Sequence, residues 1–233
     1  MNISIRCDDN MYKLGLIALL REIFSLEMAQ QTLSIQNFDS KNRATDDVMI
    51  LMLSPGEHYL CHSEFFTRSP GLIVGLIDRE HIPARGEVPS CINHIVFIPH
   101  DTPASQMGTV IKHHWSLAKN ANLTNKGRSC LGCPHKTFTA QQHQLIRLLL
   151  SGLTSKQIGL HMHMHICQKT VLAHRRALMN KFRLRSDCEL LQFLIAAQEK
   201  RVFSAEKPAA SEETIARPVA PGAELYMIPV SCR

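Results

Sequence analysis

Between positions 139 and 194 the apolar residues fall into short runs with the 3.6-residue period of helices. Three of these runs begin at a helix-start signal. The signal is a capping box, in which a hydroxyl side chain and a Gln or Glu three residues later each bond the other's backbone. The three boxes are Thr139 with Gln142, Thr154 with Gln157 and Ser186 with Glu189. A further helical run, residues 168–182, lies between the second and third boxes. The pattern predicts four short helices packed as one small bundle.

The first 120 residues show short apolar runs that alternate with polar, turn-forming segments. The runs at 48–53, 72–77 and 95–98 are rich in branched residues, as buried parallel strands are. Helical patterns accompany them, so the sequence predicts an α/β domain over residues 1–120, an open parallel sheet with helices on both faces. The predicted order continues with a linker, an all-α helix-turn-helix domain and a Pro- and Ala-rich disordered tail, at residues 121–136, 137–202 and 203–233.

The helical run at 168–182 has two unlike faces. Val171, Leu178 and Phe182 share one face, which is predicted to be core. The opposite face is small, apolar and cationic, and it carries Lys169, Leu172, Ala173, Arg176 and Asn180. Such a face suits a helix in the major groove of DNA, where Arg reads guanine and small apolar groups meet the thymine methyl. The alternative is a basic helix face that is merely solvated.

Charge along the chain favours the DNA-binding interpretation. Residues 137–201 carry ten Lys or Arg against three Asp or Glu, a net charge of +7, whereas residues 1–120 carry ten against thirteen, a net charge of −3. A basic domain beside an acidic one is typical of nucleic-acid binding. Four cations that flank the cationic face are candidate phosphate contacts, namely Arg175, Lys181, Arg183 and Arg185.

The ordered pattern of residues 138–190 resembles the LuxR/FixJ-type helix-turn-helix of bacterial transcription regulators. The matching residues are Phe138-Thr139, the segment 152–159, Lys169-Thr170-Val171, His174, Lys181-Phe182 and Glu189-Leu190. The resemblance implies that Leu172, Ala173 and Arg176 face bases, and that Lys169, Thr170 and Lys181 lie near the DNA backbone. The full predicted DNA-binding set is Lys156, Lys169, Thr170, Leu172, Ala173, His174, Arg175, Arg176 and Lys181.

Three features depart from that family pattern. Leu172 stands where the family commonly has Lys, and Cys167 stands where it usually has a Ser cap, a loss of about 1 kcal/mol. Two extra residues lie in the His161-Met162-His163-Met164-His165 run, in the turn before the recognition helix. A weakened DNA reader therefore stays open as an alternative. The three histidines could converge on one metal ion only in an extended segment, and no acidic or second-shell partner lies near them in the sequence. A duplicated loop without a metal is therefore predicted.

The layout of the first domain resembles a response-regulator receiver, but its chemistry does not. Asp8 and Asp9 match the family's acidic magnesium pair, with a solvated acidic turn as the alternative. The third strand ends near Met52, where the resemblance implies a phosphate-accepting aspartate, and Asp46 and Asp47 lie at the wrong end of that strand. The hydroxyl expected after the fourth strand and the lysine expected after the fifth are missing at 74–77 and 99–101. A pseudo-receiver that works without phosphorylation is predicted.

These resemblances predict a sequence-specific, DNA-binding transcription regulator similar to enterobacterial auxiliary regulators of the capsule-synthesis type. Its expected partners are promoter DNA, RNA polymerase, and either a second copy or a related response regulator, in a homodimer or heterodimer. The alternative function is a partner protein that does not bind DNA and titrates another regulator. An enzyme and a cofactor are not expected, because no Ser/His/Asp set, glycine phosphate loop or carboxylate pair stands out.

The eight cysteines include one closely spaced pair, Cys130 and Cys133, followed by His135. This spacing could be half of a zinc site or a redox couple, but no second pair follows and the surroundings are linker-like. Ordinary linker thiols are therefore favoured. With no signal peptide at residues 1–21 and no apolar run long enough for a bilayer, the sequence predicts a cytoplasmic, nucleoid-associated protein.

Overall fold

The computed structural model describes residues 1–25, 32–38, 46–62, 65, 71–84, 86–92, 94–120, 133–162 and 166–200. Several sequence predictions fall outside these residues. They concern the tail at 203–233, most of the linker, the histidines His163 and His165, and Cys130. No helix in the described part of the chain is long and apolar enough to cross a membrane.

Five strands form one parallel sheet in the N-terminal half. They are β1 (Asn2–Arg6), β2 (Ser34–Asn37), β3 (Val48–Met52), β4 (Leu72–Ile77) and β5 (Ile95–Pro99), and they lie in the order β2-β1-β3-β4-β5. All four neighbouring pairs run parallel. Every residue of β4 is buried, as the run of branched side chains predicts for a strand covered on both faces. The predicted fold class is confirmed.

The two faces of the sheet are covered differently. Helices α1 (Asn10–Ile23) and α2 (Ala104–Asn120) pack on one face, where Leu20 and Met107 join Ile3 and Ile50 in one core. The other face, which includes Met49, is covered by irregular chain and short 3₁₀ helices with Phe65 and Ile92. Where full helices are expected, the described part of the β3–β4 connection carries the 3₁₀ helix Glu57–Tyr59, and that of the β4–β5 connection carries two, Arg79–His81 and Ser90–Ile92.

Four helices form the C-terminal bundle. They are α3 (Ala140–Leu150), α4 (Ser155–His161), α5 (Gln168–Lys181) and α6 (Asp187–Glu199). The capping boxes at Thr139 and Thr154 are complete, with both reciprocal bonds formed. The third box is only half formed, which corrects the prediction. Ser186 accepts from the Glu189 amide at 3.1 Å, but the Glu189 carboxylate accepts from the Arg185 amide at 2.8 Å instead of returning to Ser186.

The two halves share a core. Tyr59 and Leu60, in the segment after β3, are buried in the same cluster as Phe182 and Phe193 of the bundle. Gly56 makes this approach possible: its φ is +75°, and a Cβ there would lie 3.0 Å from Leu184 Cδ2 and 3.1 Å from the Phe182 carbonyl oxygen. Any larger residue would push the halves apart.

A buried ion cluster lies beneath this contact. The side chain of Glu57 is 2 % exposed and pairs with Arg6 at 2.6 Å and with Lys200, from the end of the bundle, at 3.3 Å. Burial opposes ionisation of Glu57, but the charges of Arg6 and Lys200 outweigh it and lower the pKa of the carboxyl. Glu57 is therefore a buried carboxylate held between cations of both halves.

Candidate nucleic-acid interface

The helix α5 has one buried face and one open face, as its sequence predicts. Val171 and Leu178 are fully buried against the bundle. The open face is one continuous surface of exposed side chains, formed by Lys169, Leu172, Ala173, Arg176, Ala177 and Asn180. Leu172 is 39 % exposed there, although it is a large apolar residue. The face combines two cations with small apolar groups and an amide.

The start of α5 lacks a side-chain cap. Cys167 occupies the N-cap position and accepts no hydrogen bond from the helix amides, and its sulfur lies 3.3 Å from Thr170 Oγ1. The first amides of α5 are therefore left without the hydroxyl partner that caps α3 and α4. Amides at a helix start, with the positive end of the helix dipole, favour an anion such as a phosphate.

The chain is closely packed on both sides of the turn between α4 and α5, where residues 159–162 and Ile166 are described. A Cβ at Gly159 would lie 2.4 Å from the Ile166 carbonyl oxygen, so only glycine fits where α4 meets the chain entering α5. Met162 ends α4 and is buried with Val171, while the Gln144 amide donates to the His161 carbonyl at 3.1 Å. This requirement for Gly159 was not recognised from the sequence, although its place in the resemblance was a usable signal.

The predicted DNA-binding residues divide by exposure. Lys156 of α4 lies exposed, like Lys169, Leu172, Ala173 and Arg176, whereas Thr170 and His174 are half-buried. Among the described residues, Lys156, Lys169 and Arg176 form no ion pair. Within the described part of the chain, these three exposed side chains have no acidic partner.

Two other predicted contacts are engaged inside the bundle. Arg175 forms an ion pair with Asp187 at the start of α6. Lys181 donates to Gln142 Oε1 at 3.3 Å, and its own carbonyl accepts from Lys136 Nζ at 2.6 Å. The geometry thus ties both residues to the α3 and α6 ends of the bundle.

The flanking arginines meet the N-terminal domain. Arg183 pairs with Glu87 at 2.5 Å, and Arg185 pairs with Glu80. Lys136 also bridges the halves: its amide donates to the Tyr59 carbonyl at 2.8 Å and its ammonium lies 3.2 Å from the centre of the Tyr59 ring. These contacts were not foreseen, because residues so far apart in the sequence give no local signal.

The C-terminal edge of the sheet keeps a cleft of about 400 Å³ where a receiver would hold its phosphate. Asp9, expected to resemble a magnesium ligand, caps α1 by accepting from the amides of Met11 and Tyr12 at 2.9 and 3.0 Å. Met52 ends β3, and its sulfur lies 3.8 Å from Cys7 Sγ. Past β5, His100 pairs with Asp78 at 3.2 Å. In the described part of the chain, no group of three or more His, Cys, Asp or Glu residues is arranged to hold a metal ion.

Comparison with known proteins settles the class of the bundle. Residues 136–194 match the family model described as bacterial regulatory proteins of the luxR family. The bundle is a LuxR-type helix-turn-helix domain. This domain suggests a DNA-binding transcription regulator, in agreement with the prediction, while the positions of the individual DNA contacts stay a prediction. No curated protein is similar enough to the chain to count as a match.

Two solved structures of response regulators are similar to most of the chain. The response regulator ChrA of a heme-sensing two-component system is 15 % identical, with a TM-score of 0.29, over 86 % of this chain and 98 % of its own. The response regulator StyR is 19 % identical, with a TM-score of 0.35, over 85 % of this chain and 98 % of its own.

Proposed function

We propose that this protein is a sequence-specific transcription regulator that reads the major groove of promoter DNA with α5. The observation that supports the proposal most strongly is the open face of α5, which stays exposed although the N-terminal domain packs against the same bundle. A helix presented in this way, inside a LuxR-type domain with a net positive charge, has the shape and charge that a groove requires.

Each residue of the open face has a chemical role in this proposal. The forked donors of Arg176 match the O6 and N7 acceptors of a guanine, and Leu172 with Ala173 meets thymine methyl groups. Lys156 and Lys169 neutralise phosphates, and the uncapped amides of α5 bind a further phosphate next to Thr170 and His174. Arg175 and Lys181 act from within the bundle by fixing the angle of α5.

We also propose that the N-terminal domain is a pseudo-receiver. The end of β3 presents Met52, whose thioether cannot form an acyl phosphate, and Asp9 is committed to capping α1. The state of the domain is therefore set by the amount of protein or by a partner and not by a phosphorylation cycle.

Pairing of two chains is part of the proposal. Leu191 and Ile195, four residues apart on α6, are 52 % and 46 % exposed. An apolar stripe of this kind on a surface helix suits a second copy of the bundle or the bundle of a related response regulator. Two bundles paired in this way would place two α5 helices on successive half-sites, and bound to a promoter they would lie within reach of RNA polymerase.

The direct test is selection of DNA from a random pool by the purified full-length chain, with and without an acyl-phosphate donor. We expect one preferred motif with two half-sites and no change on adding the donor. Phosphate incorporation that alters binding would contradict the pseudo-receiver assignment.

A second function is favoured by the leucine at position 172 and the missing cap, both of which weaken a DNA reader. In that case the chain would bind no motif alone and would instead shift the DNA binding of a related regulator mixed with it. Selection repeated with such a regulator separates the two functions.

A further inference from the structure

Three cysteines that are far apart in the sequence meet at the junction of the two domains. Cys61 follows the segment after β3, Cys91 lies in the 3₁₀ helix before β5, and Cys133 leads into the C-terminal bundle. The His62 amide donates to Cys91 Sγ at 3.0 Å, and the Ser90 amide donates to Cys133 Sγ at 3.2 Å. The Cys133 sulfur therefore rests on the backbone directly before Cys91.

The thiols differ in access. Cys91 is 2 % exposed, with the Cys61 side chain as its hydrogen-bond partner, whereas Cys61 and Cys133 are half-buried. The imidazole of His135, two residues further along the chain, lies beside Cys133. A half-buried cysteine whose sulfur accepts from an amide, with an imidazole beside it and a fully buried cysteine nearby, fits a reactive thiol with a resolving thiol.

We propose that Cys133 and Cys91 form a peroxide-responsive thiol pair, whose oxidation closes a disulfide between the entry to the C-terminal bundle and the N-terminal domain. The metal alternative is disfavoured, because the described side chains provide no group arranged to hold an ion. A transient disulfide of this kind is the form expected in a reducing compartment.

The chemistry balances with a hydroperoxide as oxidant. The Cys133 thiolate attacks one peroxide oxygen, the O–O bond breaks, and the departing hydroxide takes the proton that Cys133 had lost and leaves as water. The Cys91 sulfur then attacks the sulfenic acid sulfur, the S–O bond breaks, and the departing hydroxide takes the Cys91 proton. Two thiols and one hydrogen peroxide become one disulfide and two waters.

The environment of each sulfur supports its role. Burial alone would raise the pKa of Cys133, but hydrogen bonds from His135 and the Ser90 amide lower it to about 7. Burial raises the pKa of Cys91, which keeps that thiol protonated until the sulfenic acid forms beside it. The accessible thiol is thus the one that supplies thiolate near neutral pH.

The disulfide would act on the domain junction. Three residues after Cys133, Lys136 lies against the Tyr59 ring and its ammonium bonds the carbonyl at the end of α5. A covalent link at Cys133 would hold this contact closed and restrict rotation of the bundle, while leaving the open face of α5 uncovered. Oxidation would therefore limit how two bundles can be spaced on DNA.

The test maps disulfides in the full-length chain. Reduced protein is treated with an equal amount of hydrogen peroxide at pH 7, remaining thiols are alkylated, and a non-reducing tryptic digest is sequenced by mass spectrometry. We expect a peptide linked through Cys91 and Cys133, present in Cys61→Ser, Cys130→Ser and the exposed-thiol control Cys188→Ser, and absent in Cys133→Ser. A link between Cys130 and Cys133, a link between chains, or stoichiometric zinc that protects the thiols would overturn the proposal.

A second measurement does not depend on replacing the buried Cys91. In the Cys130→Ser chain, alkylation of Cys133 at pH 7 should be roughly five- to ten-fold faster in the folded protein than in urea, because an unperturbed thiol with a pKa of about 8.5 is only a few per cent thiolate. Equal rates would show that the fold does not activate Cys133. Neither readout requires DNA, so failure here leaves the proposed function untouched.

Discussion

The cations of the C-terminal bundle fall into two regions that the charge count alone does not separate. On the open face of α5 and on α4, Lys156, Lys169 and Arg176 form no ion pair among the described residues. On the side facing the N-terminal domain, Arg183, Arg185 and Lys200 are paired with Glu87, Glu80 and Glu57. Part of the +7 excess therefore joins the domains, and under the proposed function the exposed cations of α4 and α5 are the ones expected to meet DNA.

The largest expected effect is a loss of folding stability in Glu57→Ala, which removes the carboxylate that pairs with cations of both domains. Removing the buried carboxylate leaves Arg6 and the mostly buried Lys200 without the anion between them, and breaking a buried ion pair in this way typically costs about 3–5 kcal/mol. Urea unfolding measures the loss. Glu80→Ala is the control, because its pair with Arg185 is more than half exposed and should change stability by less than about 1 kcal/mol. Equal losses in the two variants would contradict the buried cluster.

Acid should destabilise the folded protein at the same junction, because His58 is buried there in its neutral form. Burial, with the nearby charges of His81, Lys136 and His62, lowers the pKa of His58 to about 3. The unfolded chain therefore binds this proton below about pH 6.5 while the folded chain does not, so stability falls as pH drops from 6.5 toward 3.

The pH effect has a matched variant. Both ring nitrogens of His58 lack a hydrogen-bond partner in the described structure, and the ring packs 4.1 Å from the Tyr59 ring centre. His58→Phe should keep that packing and flatten the decline, which is expected to be on the order of a few kcal/mol. The pKa of Glu57 is also lowered, so the ionised carboxyl stabilises the fold above about pH 4.3 and this contribution is lost at lower pH. The decline between pH 6.5 and 4.3 therefore reports on His58. If stability fell as steeply with pH in His58→Phe as in the unchanged protein, His58 would not be the cause of the decline.

Gly56→Ala should weaken the contact between the two domains without removing any charged group. The left-handed backbone and the 3.0 Å approach to Leu184 make a Cβ unfavourable, by about 1–3 kcal/mol. Gly15→Ala is the control, since it lies in α1 with nothing within 4 Å of an added Cβ and should stabilise by about 0.5–1 kcal/mol. Thermal unfolding distinguishes the signs, and a stabilised Gly56→Ala would contradict the close approach.

The smallest expected effect is on the salt dependence of DNA binding, where variants of exposed cations should differ from variants of paired ones. Lys156→Ala and Lys169→Ala should each reduce the slope of log K against log salt by about 0.9, because each removes one phosphate contact. Arg183→Ala should leave the slope unchanged, since Glu87 already neutralises that guanidinium. A lowered slope in Arg183→Ala would mean that the domains part when DNA binds.

The local features of both regions could be predicted from the sequence. The parallel strands follow from branched apolar runs, and the two faces of α5 follow from the positions of Val171 and Arg176 along a 3.6-residue period. Two of the three capping boxes formed as expected. The third formed only in half, because the Glu189 carboxylate accepts from the Arg185 amide and not from the Ser186 amide.

The paired region could not be predicted, because it depends on contacts between distant positions. Arg183 and Arg185 look like phosphate contacts in the sequence and are ion-paired across the junction in the structure. The three-cysteine cluster is hidden for the same reason: only the spacing of Cys130 and Cys133 is visible locally, while the structure brings Cys91 to Cys133. Periodicity reports which face is buried, but not what the buried or flanking groups meet.

The most direct measurement compares Arg176→Ala with Arg185→Ala in the full-length chain, by titrating each with the preferred motif and with a motif changed at one guanine. Arg176→Ala should lose about 1–3 kcal/mol on the preferred motif and no longer distinguish the changed guanine, whereas Arg185→Ala should keep the full preference. If Arg176→Ala retained that preference, or if Arg185→Ala lost it, the open face of α5 would not be the surface that reads DNA.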